Sequence, residues 1–205
     1  MLVVGSGGRE HALAWKLEHE GVDVLVAPGN GGTPRAAAVA ATDIDKLADL
    51  ATEQRIDLTI VGPEAPLAEG IADRFTALGL KVFGPTRAAA RLEWSKAWTK
   101  GFLLRHGIPT ASAEVVDSEA AARRAVARLG LPVVLKADGL AGGKGVFVAS
   151  TQADLEVALD QLFRRKALGS AAAQVLVEEC LEGPELSLLA FTDGERMAVM
   201  TPARD

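Results

Sequence analysis

The sequence predicts an α/β protein in two parts, an open parallel sheet of Rossmann-like rhythm followed by a smaller α+β unit with antiparallel strands. Three observations carry this reading. Short apolar runs alternate with segments of helical period as far as Phe83. Each of the first three runs opens into a loop rich in glycine or proline, as strands of a doubly wound sheet do at their carboxyl ends. Beyond a long helical stretch, strands flank a glycine loop and finish in a hairpin.

In the first part the strands are expected at Leu2 to Val4, Val24 to Val26, Leu58 to Val61 and Lys81 to Phe83. Helices are expected over Arg9 to Glu18, over Ile44 to Gln54 behind the capping residue Asp43, and over Leu67 to Leu78. The rhythm changes at Gly84-Pro85-Thr86, where a helical pattern runs from Arg87 to Arg105 and stops at His106-Gly107-Ile108-Pro109. This divides the chain into residues 1–88 and 89–205, with a small subdomain over about 111–181. In the second part come a strand at Ala113 to Val116, a helix capped by Ser118, a strand at Val133 to Lys136, a glycine loop and a strand at Val146 to Ala149. A helix capped by Thr151 runs to Arg165, the strand Val175 to Glu179 follows, and Asp193-Gly194 turns a hairpin.

Composition excludes several function classes. With 205 residues, of which 49% are hydrophobic and 24% charged, the chain can bury one large core or two modest ones. A net charge of -5 gives no broad positive field for nucleic acid or an anionic membrane, so any phosphate has to be held locally. The lone cysteine, Cys180, has no internal disulfide partner. Met1 leads straight into Leu2-Val3-Val4-Gly5 without an apolar signal region, so a soluble cytoplasmic chain is expected.

Four segments carry candidate chemistry. Gly5-Ser6-Gly7-Gly8-Arg9-Glu10 opens the first helix, where free N–H groups favour an anion. Glu10 stands in place of the third glycine of a dinucleotide fingerprint, which disfavours NAD. The loops Ala27-Pro28-Gly29-Asn30-Gly31-Gly32-Thr33 and Val61-Gly62-Pro63-Glu64-Ala65-Pro66 leave the same sheet edge; each is readable as ordinary turn chemistry, and together they point to a ligand edge. In Leu135-Lys136-Ala137-Asp138-Gly139-Leu140-Ala141-Gly142-Gly143-Lys144-Gly145-Val146 two lysines flank a loop that can close over triphosphate without Cβ clashes. Gly145 replaces the Ser or Thr of a Walker loop. In Val177-Glu178-Glu179-Cys180-Leu181-Glu182-Gly183-Pro184-Glu185, Glu178 is placed to accept from an adenine amine, the backbone of Glu179 and Leu181 to complete that edge, and Glu185 to hold ribose hydroxyls. Cys180 reads as a small apolar filler, and His11, His19 and His106 show no metal or triad pattern.

In their order, GSGGREHALAWK, APGNGGT, IDLTIVGPEAPL, FGPT, SKAWTK, HGIPTA, LKADGLAGGKGV and VEECLEGPELS closely resemble the glycinamide ribonucleotide synthetase family of ATP-grasp ligases, along nearly the whole chain. The resemblance implies a Rossmann-like, pre-ATP-grasp amino-terminal domain followed by the first, incomplete part of an α+β ATP-grasp unit with a mobile lid. It also implies an activity. ATP phosphorylates glycine, the amine of 5-phosphoribosylamine attacks the acyl phosphate, and glycinamide ribonucleotide, ADP and phosphate leave, a step of purine biosynthesis.

By the same resemblance Lys96, Lys136, Gly139, Gly142, Gly143, Lys144, Gly145, Glu178, Glu179, Leu181 and Glu185 hold ATP. Gly5, Gly7, Gly8, Arg9, Glu10, Gly29, Asn30, Pro63 and Glu64 meet the phosphoribosylamine. The cofactors implied are ATP with magnesium or manganese, whose protein ligands are expected beyond Asp205, and the implied partners are small molecules in a monomer or weak homodimer. Trp94, Pro184 and Ala203-Arg204 depart from the family pattern. Taken literally the chain is expected to bind nucleotide weakly and turn over little. The alternatives are an ATP-grasp ligase with another acceptor and a non-catalytic nucleotide-binding fragment.

Overall fold

A computed structural model describes residues 1–33, 35–139, 144–165 and 169–204. Four parallel strands, β1 (Leu2–Gly5), β2 (Leu25–Pro28), β3 (Thr59–Val61) and β4 (Val82–Phe83), form a sheet in the order β2-β1-β3-β4. Strand alternation sends Leu2 and Val4 to one face and Val3 to the other. Val3 packs with Val24, Val26 and Ala14 of α1 (Gly8–His19). The opposite face buries Leu47 of α2 (Ile44–Glu53) together with two residues of a later helix, Ile71 and Phe75. Apolar side chains on both faces explain why the strands read as continuous hydrophobic runs. Because β1 lies between β2 and β3, the loops leaving all three gather at the switch point of the sheet.

Two expected helices are each broken in two. The segment expected from Leu67 to Leu78 is α3 (Glu64–Glu69) and α4 (Ile71–Ala77), divided by Gly70 at φ 95°, a left-handed conformation that ends one helix and redirects the next. The segment expected from Arg87 to Arg105 is α5 (Arg87–Trp94) and α6 (Lys96–Arg105). Ser95 interrupts it with extended backbone and caps α6, its hydroxyl accepting from the Trp98 N–H at 3.2 Å. The Arg91 guanidinium lies over the half-buried rings of Trp94 and Trp98, 5.8 and 5.4 Å from their centroids.

The second sheet is antiparallel throughout, in the order β5-β8-β6-β7, from β5 (Ala113–Val116), β6 (Val133–Ala137), β7 (Val146–Ala149) and β8 (Val175–Glu179). One face buries Val133, Leu135, Val175 and Val177 beneath α7 (Glu119–Leu129) and α8 (Gln152–Leu159). Ser118 and Thr151 cap these helices as expected. The α-helix behind Thr151 ends at Leu159, and a π-helical turn over Asp160–Arg164 replaces its expected last turn. The register pairs Lys136 with Leu176 and Val134 with Glu178, so period-2 alternation puts Lys136, Leu176 and Glu178 on the face away from these helices.

The remaining strands form two small ribbons, β9 (Leu186–Ser187) with β12 (Ala203–Arg204) and β10 (Ala190–Thr192) with β11 (Met197–Val199). The pairing of Thr192 with Met197 leaves four residues in the connection, where Asp193-Gly194 alone suggests two. Asp193 Oδ1 accepts from the N–H groups of Glu195 and Arg196 and so stabilises the longer loop.

An ion-pair network staples α7 to α8. Arg123 donates to Glu156 at 2.6 Å and to Glu119 at 2.8 Å, and Arg164 donates to Glu119 at 2.7 Å. Hydrogen bonds from Arg164 and Arg123 lower the Glu119 carboxyl to about 2, and one from Arg123 lowers Glu156 to about 2. Depressed carboxyls contribute stability that is complete above their ordinary range and disappears as pH falls through the folded-state value. Arg123→Leu is therefore expected to lower Tm by a few degrees at neutral pH. Thermal melts at stepped pH should show that difference shrinking below the ordinary carboxylate range, toward pH 2.

Candidate functional site

Two groups of candidate residues occupy separate parts of the fold. The first is the switch-point edge of the parallel sheet. Asn30 Nδ2 donates to the Ser6 carbonyl at 3.0 Å, and the Gly29 N–H donates to the Gly5 carbonyl at 3.1 Å. Arg9 reaches Glu64 at 3.2 Å, with both side chains open to solvent. The backbone N–H at the start of α3 and the Arg9 guanidinium hold the Glu64 carboxyl below its ordinary value. The three loops converge as their positions after β1, β2 and β3 require, with Pro63 at the start of α3 and Gly8 exposed at the start of α1.

Glu10 faces inward. It is 4% exposed, and its Oε2 accepts from the Gly7 N–H at 2.7 Å. That donor, expected to be free for an anion, is already engaged by a carboxylate from the chain itself. A Cβ at Gly5 or Gly62 would fall 2.4 or 2.3 Å from Glu10 atoms, so these two glycines give room to a buried acid. Glu10 supports the loop from beneath, whereas Arg9 and Glu64 present charge at its surface.

The second group surrounds a cleft of about 360 Å³ between α5, α6 and the exposed face of the antiparallel sheet. Leu92, Leu103, Val146 and Leu176 supply apolar walls, and Lys96, Lys100, Lys136 and Glu178 supply charge. Glu178 is 6% exposed and is shared: Lys100 Nζ stands 2.5 Å from Oε1 and Lys136 Nζ 2.5 Å from Oε2. Burial by itself raises the Glu178 carboxyl, but the hydrogen bonds from Lys100 and Lys136 outweigh it and hold the group below its ordinary value. Lys100 is itself buried, and it also donates to Thr110 Oγ1 at 2.6 Å and the Ala111 carbonyl at 2.8 Å. Two cations around one anion leave the cleft with a net positive charge and apolar sides.

Of the residues expected here, Lys96, Lys136 and Glu178 line this cleft. Gly139 and Gly145 stand at the two ends of the glycine loop, where the Gly145 carbonyl accepts from the Ala137 N–H at 2.8 Å, and Lys144 is exposed. Gly142 and Gly143 lie outside the described residues. Glu179, Leu181 and Glu185 follow along β8 and beyond it without lining the cleft; Glu179 is half-buried and Leu181 is 69% exposed. Among the described residues no three His, Cys, Asp or Glu side chains converge as metal ligands. No described helix is long and apolar enough to cross a membrane.

Sequence reasoning missed two residues that organise this site. Lys100 lies four residues after Lys96, so helical spacing sends both toward the same cleft, a legible signal. Asp138, at the root of the glycine loop, reaches a different element. Its Oδ1 accepts from the Ala97 N–H at 2.6 Å, the Ser95 hydroxyl donates to the same carboxylate at 3.2 Å, and its carbonyl accepts from the Lys96 N–H at 3.5 Å. A carboxylate at a helix N-terminus satisfies otherwise unpaired donors and complements the helix dipole. Asp138 thereby fastens the helix that carries Lys96 to the strand that carries Lys136.

Comparison with known proteins covers the whole chain. Residues 1–93 match the family Phosphoribosylglycinamide synthetase, N domain, and residues 94–205 match Phosphoribosylglycinamide synthetase, ATP-grasp (A) domain. The chain is 49% identical to the phosphoribosylamine--glycine ligase of Xylella fastidiosa strain 9a5c, an alignment covering 100% of this chain and 48% of that protein. The crystal structure of phosphoribosylamine--glycine ligase from Thermotoga maritima superposes with a TM-score of 0.78 at 30% identity, covering 98% of this chain and 49% of that one. A biotin carboxylase domain from Hydrogenobacter thermophilus, crystallised with MgADP, gives a TM-score of 0.72 at 19% identity, covering 99% of this chain and 49% of that one; this likeness shows the fold alone. The chain spans about half the length of the curated relatives it matches.

Asp138→Ala is expected to cost about 1–2 kcal/mol, as loss of a helix cap does. Urea titration reads the loss, and hydrogen exchange at the Ala97 amide should accelerate with it. Unchanged stability together with unchanged Ala97 protection contradicts the tie between loop and helix.

Proposed function

Because the chain belongs to the phosphoribosylglycinamide synthetase family, we propose that the whole protein is a phosphoribosylamine–glycine ligase and that these residues contribute its nucleotide cleft and its amino-terminal substrate edge. The observation that carries the reading is the buried Glu178, held 2.5 Å from each of two lysines in an apolar-walled cleft at the root of a glycine loop. Lysine charge offsets triphosphate, leucine and valine side chains cover a base, and a Cβ-poor loop approaches phosphate oxygens closely.

In this reading Lys136 and Lys96 take the phosphates, with Gly139, Gly142, Gly143, Lys144 and Gly145 closing over them. Glu178 accepts from the adenine amine. Glu179 and Leu181 complete that edge through their backbone, and Glu185 holds the ribose. Transfer of the terminal phosphoryl group to a glycine carboxylate oxygen releases ADP and makes an acyl phosphate; the amine of phosphoribosylamine attacks its carbonyl carbon, and phosphate and the amine proton leave as the amide forms. A closing loop keeps water from that activated carboxylate.

Glu64 and Arg9, with Gly8, Gly29, Asn30 and Pro63, meet the phosphoribosylamine, and Glu10 shapes the loop beneath through Gly5 and Gly7. The exposed Glu64 carboxylate suits the amine or hydroxyls of that substrate, and the N–H groups still free around Gly8 suit its phosphate. The described acidic side chains do not by themselves make a magnesium or manganese site; the lysines, carboxylates and loops present bind and orient the substrates. Glycine and phosphoribosylamine are small partners in keeping with a net charge of -5, and a cytoplasmic monomer or weak dimer is the state proposed.

Isothermal calorimetry with ATP and magnesium tests the cleft. Lys136→Ala is expected to weaken ATP binding by about tenfold or more while circular dichroism stays that of the parent, because a charge-assisted phosphate contact contributes about 1.5–3 kcal/mol. Unchanged affinity contradicts the role of Lys136. Phosphate release that depends on both glycine and phosphoribosylamine supports the ligase activity. Release with another amine, and none with phosphoribosylamine, contradicts the acceptor assigned here.

A further inference from the structure

Of the lysines that line the cleft, Lys100 is the buried one, packed against the equally buried Glu178. Its side chain is 6% exposed, against 32% for Lys136, and all three of its partners, Thr110 Oγ1, the Ala111 carbonyl and Glu178 Oε1, belong to the protein. A buried ammonium with three fixed acceptors does not travel. Lys136 has the more open position and is held at Glu178 Oε2. The two oxygens of one carboxylate are thus bound by a fixed cation and a more accessible one.

We propose that Lys100 is a positioning residue for base recognition: by holding Glu178 Oε1 it reserves Oε2 as the acceptor turned to the cleft, which Lys136 vacates for phosphate and the exocyclic amine of a purine then takes. This rests on the nucleotide reading above and extends it to a residue that touches neither base nor phosphate. The exchange keeps Glu178 paired throughout. When Lys136 moves to the phosphates, Lys100 remains as counter-charge, so the buried carboxylate stays ionised and remains an acceptor. A carboxylate fixed in this state favours an amine over a carbonyl at the same place on the base, because a carbonyl oxygen would meet an unpaired acceptor.

ATP and inosine triphosphate differ at that place, an amine in one and a carbonyl in the other. Calorimetry with both nucleotides and magnesium on the whole protein is expected to show ATP preferred by about tenfold. Lys100→Met should bring the two affinities close to parity, and Lys100→Arg should restore the preference. In Glu178→Gln, Lys100 keeps the amide oxygen and turns the amide N–H toward the base, so the preference should reverse. A folded Lys100→Met protein that keeps the parental ratio overturns the inference and leaves Lys100 a structural lysine. Should that variant fail to fold, Glu178→Gln decides, and a retained preference for ATP overturns it. Equal binding of the two nucleotides by the parent removes the base readout but spares the cleft. Binding of neither removes the nucleotide reading itself, and this inference with it.

Discussion

A single buried carboxylate shared by two lysines sets the character of the cleft. Glu178 is 6% exposed and cannot stay charged there unpaired, and Lys100, 5% exposed, cannot either. Breaking a buried pair by removing one partner costs about 3–5 kcal/mol, because the survivor is stranded. Lys136 brings the second positive charge to the same carboxylate, so the site is over-supplied with cations in this conformation. Anionic charge would offset that excess, and of these two lysines Lys136 has the more open side chain.

The surrounding fold keeps this arrangement in place. Antiparallel register puts Lys136, Leu176 and Glu178 on one face of the second sheet while Val133, Leu135, Val175 and Val177 fill the core behind them. Asp138 then ties the glycine-loop root to the start of α6, which carries both Lys96 and Lys100. Glu178 therefore holds Lys100 and Lys136 directly, and Asp138 fixes the start of the helix from which Lys96 and Lys100 project. At the switch-point edge of the parallel sheet Glu10 does a comparable task beneath the first loop, taking the Gly7 N–H that a phosphate was expected to find free.

Strand positions are legible because each run is short, apolar and bounded by glycine or proline, which punctuate the chain locally. The breaks at Gly70 and Ser95 are harder to read. Leu67 to Leu78 and Arg87 to Arg105 keep a helical period across them, and at Ser95 the interruption is held by Asp138, forty-three residues away. Lys136, Lys96 and Glu178 are legible as a set through family motifs, yet their mutual contacts depend on strand register and helix docking, which no local pattern carries. Lys100 was within reach of simple helical spacing. The inward turn of Glu10 was not, since it follows from the missing Cβ atoms at Gly5 and Gly62.

The most direct measurement is a crystal structure of the whole protein with magnesium and a non-hydrolysable ATP analogue. The account predicts the base between Leu103, Val146 and Leu176, Lys136 Nζ transferred from Glu178 to a phosphate oxygen, and Lys100 Nζ still at hydrogen-bond distance from Oε1. An analogue bound outside the cleft, or bound within it while both lysines remain on Glu178, contradicts the account.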